Sequence, residues 1–193
     1  HLGVRRQRQM CIRDRPFTVV IDAGHGGKDP GNRGNNYYEK KIVLNIALKT
    51  GAILEKEKGV KVVYTRKSDK YVTLNGRANV ANKAKADLFV SIHCDAHTSN
   101  AYGAGTFVLG LHRNKDNFRI AQKENAVIFL EDNYEQEYDG FDPNNPESVI
   151  SLVLMQEDYL NQSIEAANYI QQSFVKNLKR KNRPVKHAGF LVL

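Results

Sequence analysis

Two histidines and one glutamate stand where a metal site can form. His25 follows the apolar run of residues 17–22, inside the glycine-rich stretch Ala23-Gly24-His25-Gly26-Gly27. His93 ends a second apolar run, residues 88–92, and Glu39 opens a stretch of helical period. Imidazole nitrogen and carboxylate oxygen are both zinc ligands, and three protein ligands in tetrahedral geometry leave a fourth position open for water. An ion held in this way brings the pKa of water towards neutrality and polarises a carbonyl. Glycines around His25 let the backbone turn sharply and leave space beside it. Residue type alone does not select these three, because the chain has six histidines and a single histidine after a strand is more often structural or exposed.

The elements that would position these residues are legible as patterns. FTVVID at 17–22 reads as a buried strand that runs into a glycine loop reaching Gly34. From Glu39 to about residue 58, apolar residues recur at Val43, Ile46, Ala47, Ile53 and Leu54, the stripe of an amphipathic helix, with Gly59 as its stop. Residues 60–65 form a second strand. Thr73 caps a helix over residues 74–85, with Ala78 and Ala81 turned inward. Residues 88–92 and 106–109 give two more strands. Strands alternating with helices predict an α/β sheet with helices on its faces. Ligands of such sheets bind outside the carboxyl ends of the strands, so parallel pairing would bring His25 and His93 to one edge.

Residues 115–130 are again helical in period. An acidic stretch follows from Glu131 to Glu147, with seven carboxylates, no basic residue, and two prolines, Pro143 and Pro146; it reads as an exposed loop or an insertion. A helical period returns over residues 147–178, with Tyr159, Ile164, Ala167, Ile170 and Phe174 on one side and the basic residues 179–181 near its end. Residues 189–193 read as the opening of another strand.

Composition narrows the class. At 193 residues with 41% hydrophobic and 26% charged residues, the chain suits one globular domain with its own core. Residues 1–15 carry five arginines and one aspartate and show no period, so they read as a non-native or disordered leader. Without them the net charge of +8 falls to +4, a mild positive balance that suits an anionic polymer. No helix pattern is basic along one face and no aromatics interleave with arginine, so nucleic acid is not an expected partner. No apolar run is long enough for a transmembrane segment. Of the two cysteines, Cys11 lies in the leader and Cys94 beside His93, so no disulfide framework is expected.

Taken in order, five segments resemble one family. The stretch from Val20 to Gly31, VIDAGHGGKDPG, resembles the opening motif of the N-acetylmuramoyl-L-alanine amidases (Amidase_3 type), and Glu39 follows at the spacing typical of that family. Tyr64-Thr65-Arg66, the LNGRAN stretch from Leu74 to Asn79, the DLFVSIHCDA stretch from Asp87 to Ala96, and Gly103-Ala104-Gly105-Thr106 resemble its later motifs. The resemblance implies Zn2+ held by His25, Glu39 and His93. It also implies hydrolysis of the amide joining N-acetylmuramic acid to L-alanine of the peptidoglycan stem peptide. The implied fold is a single α/β domain with a twisted, mostly parallel sheet and helices on both faces. The implied setting is the periplasm or cell exterior, in cell division and wall turnover.

Further expectations attach to the resemblance. The family's catalytic glutamate lies on a final strand, and Gly189–Leu193 matches the segment before it, so residues 16–193 read as a catalytic domain cut short ahead of that residue. Some members carry an inserted helical segment that covers the zinc and blocks it with a glutamate. Residues 113–160 sit where such an insert falls, with Glu131 as the expected blocking carboxylate and Glu124 and Glu135 behind it. That reading predicts autoinhibition relieved by an activator protein; the alternative is a solvated acidic loop. Asp22 is placed either to hold a ligand histidine from behind or to cap the glycine turn. Arg66 and Arg77 are placed either to grip substrate carboxylates or to make structural ion pairs. Strand alternation turns Cys94 away from the metal, and His97, His112 and His187 read as surface or structural residues. A different class of function, a wall-binding or regulatory module that keeps the fold without turnover, fits the same motifs.

Overall fold

β1, Phe17–Ala23, is buried along nearly its whole length because it lies in the middle of a three-stranded parallel sheet ordered β4-β1-β5. β4 is Val60–Tyr64 and β5 is Leu88–Ile92. The register sets Ile21 opposite Tyr64 on one side and Ala23 opposite Ile92 on the other. A computed structural model describes residues 15–34, 36–95, 102–111, 115–148, 150 and 159–193.

Side chains alternate across β1, so its two faces meet different helices. Val19, Ile21 and Ala23 form one core cluster with Val43 and Ala47 of α1, Glu39–Leu54. On the other face Asp22 meets Arg77 of α2, Leu74–Ala84. The domain is therefore α/β, with a mostly parallel sheet flanked by helices. Thr73 caps α2 as its residue type predicts, accepting the Gly76 N–H at 3.0 Å. α1 is shorter than its apolar stripe suggested: it stops at Leu54. It buries Val43, Ala47 and Gly51, a four-residue repeat, and leaves Ile46 and Ile53 exposed. The chain then turns through Gly59 at φ 81° into β4.

The chain runs from β1 to β4 on one side of the sheet and crosses back to β5 on the other. The strand order reverses there, and in sheets of this kind the ligand crevice lies at the carboxyl ends of the strands at that point, here β1 and β5. The short antiparallel pair β2, Arg33–Gly34, and β3, Tyr37–Tyr38, closes the glycine loop and delivers the chain to Glu39.

Farther along, the fold departs from the sequence patterns. β6, Phe107–Leu109, pairs in parallel with β7, Lys186–Ala188, as a separate two-stranded ladder among the described residues. Residues 189–193 are not a strand. Asn125 accepts the Leu191 N–H and donates to Gly189 O, both at 2.8 Å, and Leu193 N–H turns back to Phe190 O. The helical period over 115–130 divides into α3, Lys115–Asn125, and a 3-10 helix, Ala126–Leu130. The acidic stretch holds a short α4, Tyr134–Glu137, and its Tyr138 is buried against Leu74 and Ile128. α5, Leu160–Leu178, buries Ala167 and Gln171, whereas Tyr159 is 73% exposed. Arg15, assigned to the leader, forks onto Asp87 at 2.7 and 2.9 Å. The rest of that leader, with His97 and His112, lies outside the described residues.

Candidate metal centre

The parallel register puts both histidines at one edge. Gly24 N–H bonds to Ile92 O at 3.1 Å, His25 follows at once on one side and His93 on the other. The His93 ring lies so close over Gly24 that a Cβ there would come within 2.4 Å of it. Gly31, at φ 65°, is equally constrained, because a Cβ would meet His25 Cδ2 at 2.5 Å and the Glu39 side chain at 2.8 Å. His25 itself takes the left-handed conformation at φ 58°, a strained backbone for a residue with a Cβ.

Two buried arginines hold this loop in shape. Where the loop leaves the sheet, its carbonyls lose their ladder partners, and buried carbonyls need replacements. Arg66 donates to Ala23 O at 2.8 Å and Gly24 O at 2.7 Å; Arg77 donates to Ala23 O at 2.8 Å and His25 O at 2.9 Å. Arg66 also reaches Lys40 O and Ser68 O, and Arg77 reaches Asp22 at 2.6 Å. Both residues are buried, at 1% and 3% exposure, and the bonds above commit their guanidinium groups to the loop carbonyls and Asp22. Asp22 accepts from Thr65, Arg77 and Ser91, and it reaches the histidine loop through Arg77.

Asp29 takes the role expected of Asp22. Its Oδ2 lies 2.7 Å from His25 Nδ1, and its Oδ1 accepts the Gly31 N–H. The other ring nitrogen, Nε2, therefore faces the crevice, as a second hydrogen bond commonly arranges for a metal-binding imidazole. The signal for Asp29 was present in the sequence as a carboxylate four residues past His25.

Four side chains converge. His25 Nε2 and His93 Nδ1 are 3.1 Å apart. Glu39 Oε1 lies 3.1 Å from the first and 3.2 Å from the second. Glu124 Oε2, from α3, lies 3.4 Å and 3.0 Å from the same two nitrogens. All four donor atoms fall within 4.8 Å of one another. A tetrahedral zinc with bonds near 2.0–2.1 Å has ligand atoms roughly 3.3 Å apart, close to the distances from each ring nitrogen to the other and to the two carboxylates. Glu124 Oε2 is buried and faces both ring nitrogens. Donor chemistry and spacing both fit zinc.

The electrostatics agree. Burial alone would lower the pKa of His25, but hydrogen bonds to Asp29 and Glu39 outweigh it and hold the ring at about 9. Burial is likewise outweighed at His93, where Glu124 and Glu39 raise the ring to about 10. Burial would raise Glu39, and the two imidazoles instead hold it well below the usual carboxylate range. A metal-binding imidazole must be neutral, so binding of a cation here would release whatever protons the two rings carry and would strengthen as pH rises.

Glu131, expected to block the site, lies elsewhere. It accepts from Tyr71 at 3.1 Å and from Tyr138 at 2.9 Å. Glu124, two helical turns earlier, reaches the histidines instead, because α3 turns that face to the crevice. The Glu135 carboxylate accepts a long bond from neighbouring Tyr134 and is not among the converging ligand atoms. Asn32 was not singled out from sequence, yet both its N–H groups bond to Glu39 Oε2. Cys94 donates its backbone N–H to Glu39 Oε1, while its side chain packs with the β1–α1 core. His187 lies in β7, outside the cluster.

Comparison with known proteins gives a consistent answer. The family model described as N-acetylmuramoyl-L-alanine amidase matches residues 19–193. N-acetylmuramoyl-L-alanine amidase AmiA of Escherichia coli (strain K12) is 32% identical over 180 residues, 91% of this chain and 60% of that protein. The amidase AmiC of Escherichia coli O6:H1 is 46% identical over 99 residues, 50% of this chain and 24% of that protein. The chain thus spans less than two thirds of these relatives. The crystal structure of an N-acetylmuramoyl-L-alanine amidase from Clostridium difficile 630 superposes with a TM-score of 0.63 at 28% identity, covering 93% of this chain and 73% of that one.

Proposed function

The chain belongs to the N-acetylmuramoyl-L-alanine amidase family, and from that premise we propose that it is a zinc hydrolase of peptidoglycan, held shut by Glu124. The bond cut is the amide between N-acetylmuramic acid and L-alanine of the stem peptide. The observation that carries this reading is the convergence of donor atoms from His25, His93, Glu39 and Glu124 at the carboxyl edge of the sheet.

His25, His93 and Glu39 would hold the ion, each fixed by its own element. Asp29 sets the ring of His25, and Asn32 and the Cys94 N–H set the carboxylate of Glu39. Bound zinc supplies Lewis-acid polarisation of the scissile carbonyl and acidifies water. Glu124 fills the corner that substrate and water need, so α3 must withdraw before turnover. An activator protein that binds the insert and draws α3 away would relieve this inhibition. The mild positive charge of the domain suits an anionic wall polymer, and the place of action is the periplasm or cell exterior.

Purified protein should hold about one zinc per chain, and the H25A/H93A double variant should lose it. Purified sacculi treated with a longer protein that supplies the expected catalytic glutamate should release stem peptides, and E124A in that protein should release them faster than its parent. Stoichiometric zinc in the double variant would overturn the ligand assignment. Release of sugar fragments alone would overturn the amidase reading, and an E124A rate equal to that of its parent would overturn the blocking role.

A further inference from the structure

We propose that Asn32 is the positioning residue of the metal centre and the point through which α3 acts on it. The inference rests on the zinc reading above and goes beyond it. Glu39 uses its two oxygens differently. Oε1 faces both histidines and accepts the Cys94 N–H at 2.7 Å. Oε2 points away and accepts two bonds from Asn32, the backbone N–H at 2.9 Å and the side-chain amide at 2.8 Å. A carboxylate with a free second oxygen can swing to grip an ion through both oxygens, or rotate away from it. Asn32 occupies that second oxygen, so Glu39 presents one oxygen only and does not itself take the fourth corner.

The same amide spans a second ligand. Asn32 Nδ2 also donates to Cys94 O at 2.7 Å, the carbonyl one residue past His93. Asn32 O accepts the Glu39 N–H at 2.9 Å, fixing the first residue of α1. A side-chain amide has two donors and one acceptor oxygen. Both donors are engaged at the metal side, and Oδ1 takes the ammonium of Lys123. The direction of the amide is set by this network, because Lys123 can only donate and Glu39 only accepts.

Lys123 and Glu124 are neighbours on α3. One helical turn therefore places a carboxylate on the histidines and a cation on the residue that sets Glu39. Withdrawal of α3 frees the fourth corner and also removes Lys123 from Asn32. The centre senses α3 twice, once directly and once through Asn32.

Zinc affinity, read by competition with a chromophoric chelator on the whole chain, tests this without any activity assay. N32A and the similarly sized N32L should each weaken zinc binding roughly tenfold to a hundredfold, with the metal-free circular dichroism of each variant still native. X-ray absorption at the zinc edge should show Glu39 moving from one-oxygen to two-oxygen ligation in N32A. Lys123→Met should change affinity in the wild-type background and leave it unchanged in N32A. Affinities of N32A and N32L within about twofold of wild type would overturn the positioning role. An equal K123M effect in both backgrounds would mean a through-space charge effect and would overturn the coupling. A wild-type chain that binds no zinc would overturn the metal reading and this inference together, whereas tight zinc binding indifferent to Asn32 would overturn this inference alone.

Discussion

Asp22 and Arg77 form the pair on which the histidine loop stands. Asp22 is fully buried and takes bonds from Thr65, Ser91 and Arg77, and the same guanidinium continues to the carbonyls of Ala23 and His25. Burial by itself would raise the pKa of Asp22, but Arg77 and the two hydroxyls outweigh it and lower it. A folded-state pKa below the unfolded value contributes stability that is present above about pH 4 and is lost as pH falls through the folded value. Wild-type protein should therefore lose stability in acid more steeply than D22N. At neutral pH, D22N should be less stable by about 3–5 kcal/mol, since Arg77 is left buried without its partner. Urea midpoints followed from neutral pH into acid check this; parallel curves for the two proteins would refute it.

At the scale of elements, α3 is seated by asparagines as much as by apolar contact. Asn117, Ala121 and Asn125 recur every four residues on its buried face. Asn117 donates to His187 O, and Asn125 bonds both Gly189 and Leu191, so α3 reads the backbone of β7 and the segment after it. Beyond the 3-10 helix, Glu131 closes the seat between Tyr71, from the loop before α2, and Tyr138. Hydrogen bonds to a charged group contribute about 1.5–3 kcal/mol each. Y71F and E131Q should therefore raise hydrogen exchange across α3 about tenfold or more and leave β1 and α1 unchanged. Exchange in α3 at the wild-type rate in both variants would show that Glu131 does not hold it.

Across the whole molecule, what was legible is local or follows from parallel pairing. β1, β4 and β5 are short apolar runs bounded by turn residues, and Thr73 caps α2 as its type predicts. Once those strands are parallel, the meeting of His25 and His93 follows from chain geometry, and Glu39 joins them because it opens α1. The rest depends on tertiary choices that local pattern does not carry. β6 meets β7 across some eighty residues of chain. The rotation of α3 about its axis decides between Glu124 and Glu131, and both are carboxylates in a helical or acidic stretch. The exposed Ile46 and Ile53 lie outside the face of α1 that packs on β1. Arg66 and Arg77 have the residue type of substrate grips, and only their depth beneath the loop reveals that they serve its carbonyls.

That underside anchoring separates assembly of the cradle from capture of the proposed zinc. None of the bonds from Arg66 and Arg77 to residues 23–25 passes through a ligand atom, so the scaffold needs no cation to find its shape. This domain should behave unlike zinc modules that collapse when stripped: after exhaustive chelation its circular dichroism should keep the native signature, and added zinc should restore occupancy without a refolding lag. Wholesale loss of ellipticity in chelator would mean that the ion organises the loop rather than simply lodging in it.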